Sequence, residues 1–302
     1  MKKNLLSLLD LSKQEIEKIL TDAEALKDKS QPYAGKTAAL LFNRPSTRTL
    51  VSFEVALKQL GYGTVHLDYV FTQMVRGEKL GDTSKAISQY VSLIVARLLP
   101  HSMLEELAKS SEVPVINAAT DLEHPCQALG DMYTLKALGK LKTGNKLVFI
   151  GDPTAAVANS LVIAATKLGL YFVFLCPKTM VPDQKYLEFA KKLGKVEVTH
   201  EISAVKDAAA IYVSSWVKES PEQENPDRLR EFLPYQVNTK MLSLASKDAV
   251  VMHPLPAFRG QEITDDVLDG KQSVVWQQAK NRLYVQKAII SVLLEGRPTG
   301  RG

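Results

Sequence analysis

Ser46-Thr47-Arg48-Thr49 packs three hydroxyls and a guanidinium into four residues, within the stretch FNRPSTRTLVSFE from Phe42 to Glu54. A strand-like run precedes this cluster and a helix-like run follows it. A turn needs none of these side chains in particular, whereas a phosphate uses all four. Hydroxyls and the unpaired N–H groups of a helix start donate to its oxygens, and a guanidinium meets it with a planar fork. Taken alone, so short a motif reads more simply as a helix N-cap beside a solvated arginine.

Other polar residues fall at comparable places. Arg97 closes the apolar run LIVAR, as a surface terminus or as a second anion clamp. His124 and Gln127, in HPCQ, follow VPVINA, and both side chains can donate to a carbonyl oxygen. Cys126 between them has no neighbour that would activate it and reads as a small buried side chain. His253-Pro254-Leu255-Pro256 makes a stiff loop after AVVM, with carbonyls able to accept from an amine or amide, or serves as a plain turn. Arg282, within NRLYVQKA, is by default a solvated helix residue.

The elements that must position these residues alternate in period. Ser12 to Glu15 reads as a capping box opening a first helix. TAALLF, TVHLD, LIVARL and VPVINA then read as strands separated by helical runs, one of them closed by Gly61. After the polar stretch KLKTGN the alternation restarts with KLVFIGD, YFVFLC, VEVTH, AIYVSS and AVVMHP, and a last helix, QAKNRLYVQKAIISVLLEG, ends it. Runs apolar throughout imply strands buried on both faces by crossover helices. The fold class expected is α/β, with two doubly wound parallel-sheet domains joined near 140–145. In such sheets ligands bind beyond the carboxyl ends of the strands, where the residues above other than Arg282 lie.

The chain has 302 residues, enough for two ordinary cores, and a formal net charge of +5 spread without a basic block. Nucleic-acid binding would need clustered Lys/Arg with aromatics, and a membrane span about 18 apolar residues, so neither is expected. Two unpaired cysteines point to a reducing, cytoplasmic setting. The N-terminal run, interrupted by Asp10, reads as part of the fold. GDPTAAVANS has a single glycine and is no dinucleotide fingerprint. There is no P-loop, GxSxG elbow or paired His/Cys spacing, so neither cofactor nor metal is expected.

Taken together, RPSTRTLVSFE, HPCQALGDM and HPLPAFRGQEITDDV resemble the signatures of the aspartate/ornithine carbamoyltransferase family, along essentially the whole chain. PYQVN, DGKQSVVW and NRLYVQKA are similar to the ornithine branch in particular. The resemblance implies a carbamoyl-phosphate domain over 1–140, joined by a C-terminal helix over 277–297, and an acceptor domain over 146–276. It implies a homotrimer, or a multiple of trimers, with sites between subunits. Ser46, Thr47, Arg48, Thr49, Arg97 and Arg282 would hold carbamoyl phosphate, with Gln73 supplied by a neighbouring subunit. His124, Gln127 and the backbone of Pro254 and Leu255 would bind its carbamoyl end. Arg48, Thr49, Arg97 and His124 would act in catalysis, the last three as an oxyanion hole.

On the acceptor side the sequence departs from the ornithine pattern. GDPTAAVANS has no asparagine at the matching place, and Ser214 stands where an aspartate is expected. Lys218-Glu219-Ser220 replaces a Ser-Met-Gly loop, Pro254 replaces a cysteine, and Leu50 replaces a common arginine. Ser214, Lys218 and Glu219 are therefore the acceptor-side candidates. Ornithine or a close analogue leads as the acceptor. Putrescine, an N-acylated ornithine or aspartate, or a non-catalytic carbamoyl-phosphate-binding role, are the alternatives.

Overall fold

A computed structural model describes residues 4–28, 33, 35–216 and 225–295. They fall into two compact units, one of 1–133 with 281–302 and one of 134–280.

The first unit contains α1 (Lys13–Ala25), β1 (Thr37–Phe42), α2 (Thr47–Gln59), β2 (Gly63–Asp68), α3 (Leu80–Ser88), β3 (Leu93–Arg97), α4 (His101–Ser110) and β4 (Val115–Ala119). It also holds the start of α5 (Pro125–Ala137). The capping box that opens α1 is formed: Glu15 N donates to Ser12 Oγ at 3.2 Å and Ser12 N to Glu15 Oε2 at 2.7 Å. The strands pair in parallel in the order β2-β1-β3-β4. The chain thus leaves β1 toward one side and returns to its other side as β3, which makes the β1/β3 ends a topological switch point. Leu40, Leu41, Ile94, Val95 and Ile116 are fully buried in this sheet.

Edges differ in protection. Leu5 bridges to Ile116 and exchanges backbone hydrogen bonds with Val115 and Asn117, at 2.9 and 2.8 Å, so the N-terminal segment covers the edge of β4. β2 instead is open: TVHLD is half-buried or exposed at every position, not sandwiched between helices.

The second unit contains β5 (Lys146–Ile150), α6 (Ala156–Lys167), β6 (Tyr171–Leu175), α7 (Gln184–Leu193), β7 (Val196–Thr199), β8 (Ala210–Val213), α8 (Pro226–Phe232), α9 (Thr239–Leu242), β9 (Val250–Met252) and α10 (Asp265–Leu268). The chain returns to the first unit within α11 (Val275–Leu294), which starts three residues earlier than its sequence pattern implied. The parallel order is β7-β6-β5-β8-β9, with the switch point between β5 and β8. Phe149, Phe172, Phe174 and Tyr212 pack ring against ring, with centroids 4.9–6.4 Å apart. The β7–β8 crossover holds only a single 3-10 turn, Ile202–Val205, where the sequence reading expected a helix.

Candidate active site

The first switch point collects most of the expected anion-binding residues. Parallel register sets Arg97 level with Phe42, four residues before Ser46. Asn43 fastens the two strand exits together: its Nδ2 donates to Leu99 O at 2.7 Å and its Oδ1 accepts from Leu99 N at 3.1 Å. Ser46 occupies the N-cap of α2, yet its hydroxyl makes no capping hydrogen bond. The plain reading of this serine as a cap therefore fails, because its side chain is not spent on the helix.

α11 lies along α2 through two hydrogen bonds. Arg282 Nη2 donates to Thr49 Oγ1 and Gln286 Nε2 to Ser52 Oγ, each at 2.9 Å. Positions 282 and 286 are one helical turn apart, as are 49 and 52, so one face of α11 reads one face of α2. Gly130 permits a close approach on α5: a Cβ there would lie 3.2 Å from Arg282 Cγ. Arg282 is thus a buried residue, not the solvated one its sequence context implied.

Arg48, Arg97, Arg282 and His124 form an electropositive group. Burial, then Arg282 and Arg48, pulls Arg97 down to about 10. Burial also lowers Arg48. His124 is pushed well below its ordinary value by burial, then by Arg282 and Arg97, so the ring is neutral at pH 7. Among the described residues neither Arg48 nor Arg97 makes a side-chain hydrogen bond or ion pair, and Arg97 Nε is buried without an acceptor. Half-buried guanidiniums without acidic partners favour a bound anion, since their mutual repulsion is otherwise unrelieved.

Gln127 is buried at the first turn of α5, with its Nε2 donating to Asp131 Oδ1 at 2.8 Å. That bond fixes the amide and leaves one N–H and its oxygen. Thr47 is exposed at the first position of α2. Gln73 lies apart from this group in bonding terms: it is exposed on a 3-10 turn, Gln73–Arg76, and no side-chain hydrogen bond ties it down. Cys126 donates to Asn117 O at 3.2 Å, and burial raises its thiol to about 12, which leaves it unreactive.

In the second unit, the loop after β9 is held by a buried pair. His253 Nε2 faces Glu262 Oε1 at 3.1 Å, while His253 Nδ1 accepts from Leu255 N at 2.9 Å. The second contact puts the ring proton on Nε2. Leu255 adopts φ +56°, a left-handed conformation costly for a branched side chain, and this bond helps hold it. The carbonyls of Pro254 and Leu255 accept no hydrogen bond among the described residues.

The ends of β5 and β8 approach closely. At Gly151, φ +151°, a Cβ would meet Ser214 O at 2.9 Å and Ser214 Cβ at 3.0 Å, so only glycine fits. Ser214 is buried just past β8. Lys218 and Glu219 lie outside the described residues. Sequence reasoning passed over Asp152 and Arg228, which meet here: Arg228 Nη2 donates to Asp152 Oδ2 at 3.0 Å and to Trp216 O at 2.9 Å. Separated by 76 positions, they leave no local signal of their contact. Among the described residues no group of three or more His, Cys, Asp or Glu is placed to hold a metal. No described helix is long and apolar enough to cross a membrane.

Comparison with known proteins matches two consecutive stretches of the chain. Residues 3–137 match the carbamoyl-P binding domain of aspartate/ornithine carbamoyltransferases, and residues 143–293 match the Asp/Orn binding domain. The chain is 43% identical to an ornithine carbamoyltransferase of Pyrococcus abyssi, over 99% of this chain and 98% of that one. It is also 43% identical to an ornithine carbamoyltransferase of Methanosarcina acetivorans, over 97% and 100% of the two. The solved ornithine carbamoyltransferase of Pyrococcus furiosus superposes with a TM-score of 0.93 at 42% identity, covering 98% of each chain. The anabolic enzyme of Campylobacter jejuni gives 0.92 at 35% identity, over 98% of this chain and 100% of that one. With both halves matched in order and the whole length shared, the chain belongs to the aspartate/ornithine carbamoyltransferase family.

Proposed function

We propose that the protein transfers the carbamoyl group of carbamoyl phosphate to the side-chain amine of ornithine, giving citrulline and phosphate. The observation that carries this reading is the pair Arg48 and Arg97, two partly buried guanidiniums without acidic partners at the β1/β3 switch point. Full-length relatives named for ornithine support the acceptor.

The first unit takes carbamoyl phosphate. Ser46, Thr47, Arg48, Arg97 and Arg282 receive the phosphate oxygens, because hydroxyls, the helix start and guanidiniums all donate there. Thr49, whose oxygen already accepts from Arg282, has its own proton left to donate. Thr49, Arg97 and neutral His124 face the carbonyl oxygen, and Gln127 reads the carbamoyl amide. A neutral amine attacks the carbonyl carbon, charge grows on the oxygen, and these donors stabilise it. The C–O bond to phosphate then breaks, and the leaving phosphate takes the amine's proton. No covalent enzyme intermediate is needed.

The working form is a homotrimer or a multiple of trimers, in the cytoplasm, with Gln73 reaching a neighbouring subunit's site. Support for association is the unprotected β2 edge and the exposed Val70 and Phe71 beside it, the latter 87% exposed.

Ser214 favours a second reading, an amine other than ornithine. A small neutral side chain stands at the end of β8 where a carboxylate would pair with an α-ammonium. Phosphate release measured with ornithine, putrescine, N-acetylornithine and aspartate decides between them. Ornithine is expected to turn over fastest. Preference for another amine replaces the acceptor, and no release with any amine, despite carbamoyl-phosphate binding, replaces the enzyme with a binding protein.

A further inference from the structure

The contact between Asp152 and Arg228 joins three elements at the switch point of the second unit. Asp152 lies just beyond β5, Trp216 just beyond β8, and Arg228 on α8. One nitrogen, Arg228 Nη2, donates to both strand exits, to Asp152 Oδ2 at 3.0 Å and Trp216 O at 2.9 Å. The other oxygen of Asp152 accepts from Thr154 N at 2.9 Å and Thr154 Oγ1 at 2.7 Å, which fixes the turn into α6. Behind the guanidinium, Arg228 Cζ lies 5.3 Å from the Phe232 ring centroid, and that ring stacks on Trp216 at 5.3 Å and 14°. The ion pair is largely shielded from solvent, with side-chain exposures of 16% for Arg228 and 6% for Asp152.

Stability alone is a poor reason for such a pair. Buried ions forfeit hydration, and an apolar pair of similar volume often does as well or better. What an apolar pair lacks is direction: a guanidinium shared between a carboxylate and a carbonyl sets the separation of two strand exits. The exits in question, of β5 and β8, flank the crevice where a doubly wound sheet binds its ligand. Ser214 and Gly151 touch across that same gap.

We infer that Asp152 and Arg228 are positioning residues for the acceptor amine. Their link holds the β5 and β8 exits at the spacing the acceptor requires, and so governs acceptor affinity without touching carbamoyl phosphate. This rests on the reading of the second unit as the acceptor-binding one.

The test is steady-state kinetics on full-length Arg228→Lys and Asp152→Asn and on the double variant Asp152→Asn/Arg228→Lys, with ornithine and carbamoyl phosphate varied separately. Lysine keeps the charge but loses the planar fork, and asparagine keeps the shape but loses the charge. The KM for ornithine is expected to rise roughly tenfold to a hundredfold, the cost of a misplacement near 1 Å. The KM for carbamoyl phosphate should stay within about twofold, since the interaction removed lies on the acceptor side only. The double variant should be no worse than the more impaired single one, because each change breaks the same link. Equal rises in both KM values, or a lowered melting temperature with unchanged KM values, overturn the inference. So does failure of both single variants to fold. Wild-type protein that does not turn over ornithine refutes the acceptor reading and the inference with it, whereas normal wild-type turnover with no KM split refutes the inference alone.

Discussion

In the proposed phosphate site the residue expected to matter most is Arg48, since it is half-buried, has no acidic partner among the described residues and sits in the first turn of α2. Arg48→Ala should weaken carbamoyl-phosphate binding roughly a hundredfold or more, as two charge-assisted hydrogen bonds are lost together. Calorimetric titration measures this, and retained tight binding would contradict the assignment. His124 gives a pH prediction. Its folded value is depressed well below 6.5, so the folded protein keeps the ring neutral while an unfolded chain takes up a proton below 6.5. Stability therefore falls as pH drops below 6.5 on account of this residue, and is unaffected by it above. Turnover should likewise show no His124 ionisation from pH 6.5 upward. His124→Ala, which removes one oxyanion donor, should lower kcat roughly 10²–10³-fold with an unchanged profile shape. A wild-type limb near 6.5 that disappears in the variant would show a proton-transfer role instead.

At the scale of elements, the site depends on how closely α11 can approach α2 and α5. Gly130 on α5 sets one limit, because a Cβ there would stand 3.2 Å from Arg282 Cγ and 3.6 Å from its Cα. Gly130→Ala adds helix propensity of about 1 kcal/mol and loses a similar amount to overpacking. Thermal denaturation should therefore move little. The guanidinium of Arg282, displaced from Thr49, should cost about tenfold in carbamoyl-phosphate affinity. A large drop in melting temperature with unchanged affinity would mean that the glycine serves packing alone. The same logic explains Asn43, whose two bonds to Leu99 hold the exits of β1 and β3 together so that Arg97 stays level with Phe42, just ahead of the Ser46–Thr49 cluster.

For the molecule as a whole, the uneven treatment of sheet edges matters most. β4 is covered by Leu5 and β9 by Ser273, the latter through a bridge to Val251. Among the described residues β2 has no such cover, and Val51 and Val55 on α2, Val65 on β2, and Val70, Phe71 and Val75 beyond it are all exposed. The proposed assembly would use an edge of this kind for a partner copy. Sedimentation should give a trimer or a multiple of it, and Phe71→Glu should give smaller species by placing a charge at the contact. Gln73 lies two residues further on, so the same change should also lower turnover. Sedimentation of Phe71→Glu identical to wild type would remove this edge as the contact.

The order of strands and helices was legible in the chain itself, because apolar runs and helical periodicity act over a few residues and need no distant partner. The Ser46–Thr49 cluster was legible as contiguous hydroxyls and a guanidinium at a helix start, and its role toward phosphate is a proposal. Local pattern misjudged the β7–β8 crossover, the start of α11 and the burial of TVHLD, because an edge strand and a central one can share a composition. Folding alone decided that Arg282 reaches Thr49 across 233 positions, that Ser46 leaves its hydroxyl uncommitted, and that Arg228 spans the exits of β5 and β8. Each of these is a matter of ladder register or helix docking, set by contacts between segments far apart in the chain, which no window of neighbouring residues contains.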